Sequence, residues 1–132
     1  MVHNTTYPDP QITYLINKTV GKPYSFLQRI KMGGIGSKRM NILELSPSLK
    51  AYQTITQETQ FGFIELRPKG ILVLVNRQLQ NFTWPIPFSD LIVNVEQDLR
   101  VEMGEDFLIF EKGRNENAIF IQRIIKHIDV FE

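Results

Sequence analysis

Phe61-Gly62-Phe63-Ile64-Glu65-Leu66, then Arg67-Pro68-Lys69-Gly70, then Ile71-Leu72-Val73-Leu74-Val75: this stretch decides the fold. It reads as strand, tight turn, strand. Pro68 pre-sets its φ for a turn position, and Gly70 supplies backbone freedom. A connection this short makes antiparallel return the simplest solution. The branched side chains of 71–75 favour a strand over a five-residue helix.

Downstream, Phe82, Trp84, Ile86 and Phe88 share one parity, as residues on one strand face do. Pro85 and Pro87 take the other parity and cannot donate ladder bonds, which marks an edge strand or one ending near Pro85. Val93 and Val95 begin the next strand signal. Residues 99–103 alternate as Leu99, Arg100, Val101, Glu102, Met103. Gly104-Glu105-Asp106 turns the chain, and 107–111 return to complete a hairpin. The period then changes: Ile121, Ile124, Ile125 and Ile128 fall at helical spacing within 116–131. Asn115 reads as the cap and Glu116 as a favourable first-turn charge. Such a helix should cover an open face or end of the sheet.

Upstream the pattern weakens. Ile12, Tyr14 and Ile16 alternate, which permits a short strand. Pro23, followed by Phe26, Leu27 and Ile30, predicts a short helix ending at Gly33-Gly34. Ile42, Leu43 and Leu45 form a strand signal that stops at Pro47, and Tyr52, Thr54, Ile55 and Thr56 are strand-prone types. The expected organisation is a single domain, 1–132. Residues 1–40 are an N-terminal extension or first elements, 41–113 an antiparallel β-barrel core, and 114–131 a capping helix. Several strands and one late helix give a mainly β chain, a barrel or split barrel plugged by that helix.

Residues 61–131, in particular 61–66, 70–74, the run Ile86-Pro87-Phe88-Ser89-Asp90-Leu91, the hairpin 99–111 and the terminal helix, resemble the pleckstrin-homology-like superfamily in its bacterial and GRAM-like members. The resemblance implies a PH-like antiparallel split barrel of about seven strands, capped by a C-terminal helix. It implies a domain that binds phosphoinositides, peptides or other proteins, and one that is not an enzyme.

The net charge of +1 conceals an asymmetry. Residues 1–60 carry +4 and residues 61–132 carry −3. Lys18, Lys22, Arg29, Lys31, Lys38 and Arg39 lie in a stretch with no acid. That stretch either balances the acidic half of the molecule, is simply solvated, meets a lipid or nucleic-acid surface, or meets an acidic protein partner. With Arg67 and Lys69 of the turn, these are the candidate anionic-surface contacts. Near-neutral overall charge argues against a dedicated nucleic-acid module. Phe82, Trp84 and Phe88 are then better read as core than as a base-stacking platform.

Catalytic signatures are missing. The chain has no cysteine, so disulfides, thiolate chemistry and sulfur-ligated zinc are excluded. Its two histidines form no ligand pair: His3 lies in a terminus expected to be mobile, and His127 sits where a cation favours the helix dipole. Gly33-Gly34-Ile35-Gly36-Ser37-Lys38 fails as a phosphate loop because Ser37 precedes Lys38 instead of following it. No serine has a GxSxG context, and no calcium-loop spacing is present. Glu102, Glu105, Asp106 and Glu111 read as a solvated hairpin tip. No catalytic, cofactor or metal residue is assigned. Asn4-Thr5-Thr6, Asn17-Lys18-Thr19 and Asn81-Phe82-Thr83 match the glycosylation pattern, but the N-terminus has no secretory character. The expected location is the cytoplasm. The expected function is a non-catalytic interaction domain whose partner is a protein, a second copy or an anionic membrane. The alternative is a small enzyme or ligand-binding barrel with Glu65, Arg77 or Arg100 turned into a polar interior.

Overall fold

Alternation at Ile12, Tyr14 and Ile16 permits a strand, but residues Pro10–Val20 form a helix, α1, in the computed structural model. The structure describes residues 1–54, 59–111 and 117–131. Asp9 explains the difference. Its carboxylate accepts the amides of Gln11 and Ile12 at 2.9 and 3.5 Å, and Pro10 occupies the first helical turn. Ile12, Ile16 and Val20 are four residues apart, so they share a helix face as well as a strand parity. That face packs on Leu72 and Leu74.

Strands β2 (Met40–Leu45), β3 (Phe61–Arg67), β4 (Gly70–Arg77) and β5 (Gln80–Pro87) form one meander. Strands β6 (Ile92–Asn94), β7 (Leu99–Met103) and β8 (Asp106–Phe110) form a second. A two-residue β1, His3–Asn4, lies along the outer edge of β5. The order is β1-β5-β4-β3-β2-β8-β7-β6, antiparallel at every pairing. Among the described residues the fold is thus mainly β, an eight-stranded sheet that bends around its core without closing.

The bend sits in β2. Met40 and Asn41 pair with Gly62 and Phe61 of β3, whereas Ile42, Glu44 and Leu45 pair with β8. The register shifts between Ile42 and Glu44, a bulge that turns the strand from one meander to the other. Glycine is required where the two halves crowd. A Cβ on Gly62 would lie 2.5 Å from the Leu74 carbonyl oxygen and 3.0 Å from the Phe110 ring. Within the first meander, a Cβ on Gly70 would lie 2.2 Å from the Ile86 carbonyl oxygen of β5 and 2.8 Å from Val20 of α1.

The two prolines of β5 lie where the strand needs no donor. Asn81 turns its carbonyl and amide outward, to the Thr5 amide and the Thr6 hydroxyl. Residues two and four further along, Thr83 and Pro85, repeat that direction, and Pro87 continues it. β1 covers Phe82 and Thr83, and the prolines blunt the rest of the edge. The edge reading holds, with the strand running past Pro85 to Pro87.

Trp84, Phe88, Phe110, Ile64, Leu66 and Ile71 are among the fully buried side chains of the core. Helix α3, Ala118–Phe131, adds Phe120, Ile121 and Ile124, with Ile125 and Ile128 packed at the margin. Each full burial of this kind stabilises by roughly 1.5–3 kcal/mol. Asn115 and Glu116 lie outside the described residues. At residue 117 the structure shows a buried asparagine whose Oδ1 accepts the Lys38 amide at 2.8 Å. Residues Pro47–Tyr52 form a 3₁₀ turn with Leu49 as its buried anchor, so Tyr52 is not in a strand, and Ile55 and Thr56 lie outside the described residues.

Candidate functional site

Helix α2, Phe26–Met32, begins on a capping box. The Ser25 hydroxyl accepts the Gln28 amide, and the Gln28 side chain accepts the Ser25 amide at 2.9 Å. It ends at Gly33, in the left-handed conformation at φ 75°. None of its residues is buried. Phe26, Leu27 and Ile30 are 74, 69 and 61% exposed. At about 100° per residue, these three fall in one sector of the helix. Met32, the residue that touches the core, lies on the opposite side. The helix therefore turns its apolar face outward. Arg29 and Lys31 flank that face on either side. Arg29 is steadied by its Nε donating to the Tyr24 carbonyl at 3.1 Å. Tyr24 packs on the core, and burial raises its phenol above the ordinary value.

The other cations divide into two places. Lys18 is in the last turn of α1, and Lys22 follows its end. The Lys69 amide donates to the Val20 carbonyl at 2.8 Å, which brings the β3–β4 turn against the same helix end. Lys38 and Arg39 are exposed before β2, and the Arg39 guanidinium lies 4.2 Å over the Phe61 ring. Among the described residues, none of Lys18, Lys22, Arg29, Lys31, Lys38, Arg39 and Lys69 forms an ion pair. Among the described residues, no ion pair with the acidic half neutralises them.

Arg67 leaves the surface set. It is 8% exposed, and its guanidinium donates to Glu65 at 2.9 Å, to Asn17 Oδ1 at 3.0 Å and to the Gly21 carbonyl at 2.9 Å. It anchors α1 to β3. The glycine-rich run 33–38 also resolves into structure. Gly36 bridges Glu65, the Ser37 amide donates to the Ile64 carbonyl, and the Ser37 hydroxyl accepts the Ile64 amide. The amides of Gly33, Gly34, Ser37 and Lys38 are donated to Ile30, Arg29, Ile64 and Asn117 and do not cradle a phosphate.

His127 and His3 are both better placed than the sequence suggests. The His127 ring stacks on Phe88 at 5.8 Å, and its Nδ1 donates to the Arg123 carbonyl at 2.8 Å. With Met32, Arg123, Lys126 and Val130 it lines a cleft of about 340 Å³ between α2 and α3. Sequence reasoning missed this cleft, although Arg123, Lys126, His127 and Val130 stand at helical spacing on one face. His3 pairs with Thr83 in β1. Burial, and secondarily the amino group of Met1, lowers its pKa.

The acidic side chains are dispersed. Glu102 binds Arg100, Asp106 accepts from Ser48, and Glu111 accepts from Asn41 at 2.7 Å. Among the described residues no group of three His, Asp or Glu is placed to hold a metal ion. Glu65 pairs with Arg67, Arg100 lies over the Phe107 ring, and Arg77 binds the Ala51 carbonyl. The void bordered by Leu45, Leu49, Val75, Trp84 and Leu108 holds only about 10 Å³, barely room for one water. Phe82, Trp84 and Phe88 are buried. No helix among the described residues is long and apolar enough to cross a membrane. No family model, no curated protein and no solved structure matches the chain.

Proposed function

We propose that this chain is a non-catalytic interaction module that docks on an anionic membrane surface through α2. One observation carries the reading: a short helix, capped at both ends, presents Phe26, Leu27 and Ile30 to solvent between Arg29 and Lys31. An apolar face that enters the acyl boundary, bordered by cations that reach lipid phosphates, is the composition of an interfacial helix. Lys22, Lys38 and Arg39 add charge without an acid between them.

Co-sedimentation with vesicles tests this. Phosphatidylcholine vesicles containing phosphatidylserine retain the protein, and retention falls as salt is raised. Neutral vesicles retain little. Phe26→Ser with Leu27→Ser abolishes retention while changing stability by no more than about 0.5 kcal/mol, because both side chains are already exposed. Lys31→Gln weakens binding about fivefold, the equivalent of ~1 kcal/mol for one cation near an anionic surface. Equal retention on neutral and anionic vesicles overturns the proposal. So does a concentration-dependent dimer that the serine pair disperses, which assigns α2 to a second copy of the chain.

A further inference from the structure

The cleft between α2 and α3 has a chemistry of its own. Arg123, Lys126 and His127 occupy positions i, i+3 and i+4 of α3, so they share a face, and Val130 continues it one turn on. Met32 closes the opposite wall from the last turn of α2. Among the described residues, every titratable group on the lining is basic. The rest is carbon: Met32, the 80% exposed Val130, and the methylene stems of Arg123 and Lys126. Arg123 is held in place because its Nη1 donates to the Gly34 carbonyl at 3.1 Å. One donor of the fork is used, and the guanidinium offers five. The His127 ring is fixed by Phe88 on its face and by the Arg123 carbonyl at Nδ1. The cleft falls within the size range of small-ligand sites.

We infer that this cleft holds the phosphate headgroup and first methylenes of one anionic membrane lipid. The inference rests on the membrane reading of α2, whose C-terminal turn forms one wall. The phosphate meets the Arg123 fork and the Lys126 ammonium, since charge-assisted contacts to a planar guanidinium suit a phosphate. The chain lies along Met32 and Val130. A free phosphate would use only the cations and leave that carbon lining wet, so the lipid is the source the cleft favours.

A soluble short-chain phosphatidic acid, kept below its micelle concentration, is the probe, with backbone amide NMR as the readout. Met32, Arg123 and His127 amides shift saturably. Lys126→Gln, at an exposed position, weakens the binding about tenfold, and Arg123→Gln does the same. The Phe26→Ser, Leu27→Ser pair still binds the soluble lipid while losing vesicles. Inorganic phosphate at the same concentration leaves the cleft amides unmoved. Two results overturn the inference: no saturable shift at the cleft, or equal binding of inorganic phosphate. If vesicles are retained and the cleft stays silent, the inference fails and the membrane reading stands. If vesicles are not retained either, both fail.

Discussion

Arg67 shows how position converts a turn cation into a structural one. In the sequence it stands beside Pro68 and Lys69 and reads as a surface charge. In the fold, the end of α1 lies across it: Asn17 and Gly21 accept from one nitrogen, and Glu65 of β3 accepts from another. One cue was in the sequence, since residues 65 and 67 share a strand face. Nothing local announced α1. Replacing Arg67 by Met keeps the bulk, removes the charge and leaves Asn17 and Gly21 without a donor. The expected loss is roughly 2–3 kcal/mol, on the scale of hydrogen bonds to a charged group. Urea denaturation reads it as a lower midpoint with unchanged slope. A midpoint equal to that of the native chain removes the anchoring role.

At the scale of elements, what was legible depended on how many sides each element buries. The hairpin 99–110 and α3 each bury one face, and their periods read cleanly. Strand β4 does not alternate because Ile71, Val73 and Val75 face the main core while Leu72 and Leu74 face α1. An uninterrupted apolar run is the mark of a strand covered on both sides. Helix α2 was legible as a helix, with its stop at Gly33, but periodicity does not say which way a stripe points. The outward direction of Phe26, Leu27 and Ile30 came only with the tertiary structure. Strand β1 was not legible at all, since two residues carry no period. It carries a pH dependence. Burial lowers the His3 pKa in the fold, so near neutrality the folded chain binds fewer protons there than the unfolded chain. The stabilisation is therefore complete above the ordinary histidine value of 6.5 and declines as pH falls below it. The protection factor of the Thr5 amide, bonded to the Asn81 carbonyl at 2.9 Å, should drop through that window. His3→Gln should flatten the response, and a native profile already flat contradicts it.

For the whole molecule, the N-terminal segment is a cover on two fronts. Its helix shields Leu72 and Leu74, and its first residues shield the outer edge of β5. Removing residues 1–22 leaves an apolar sheet face beside a strand edge that only Pro85 and Pro87 protect. Light scattering should then show a mass that rises with concentration, against a constant mass for the full chain if vesicle docking is its partner interaction. A monomeric truncated chain would mean that the sheet needs no such cover.

Strand β2 belongs to both meanders, and this sets an order of events in the making of the protein. The β3–β4–β5 partners emerge soon after it, at roughly 5–20 residues per second. Its other half waits for β8, near the end of the chain, before Ile42, Glu44 and Leu45 find Phe110, Ile109 and Leu108. Pairings so far apart in sequence are slow to form. A nascent chain still lacking β8 holds one strand half zipped, its free half open to any neighbouring strand, until β8 itself has been made.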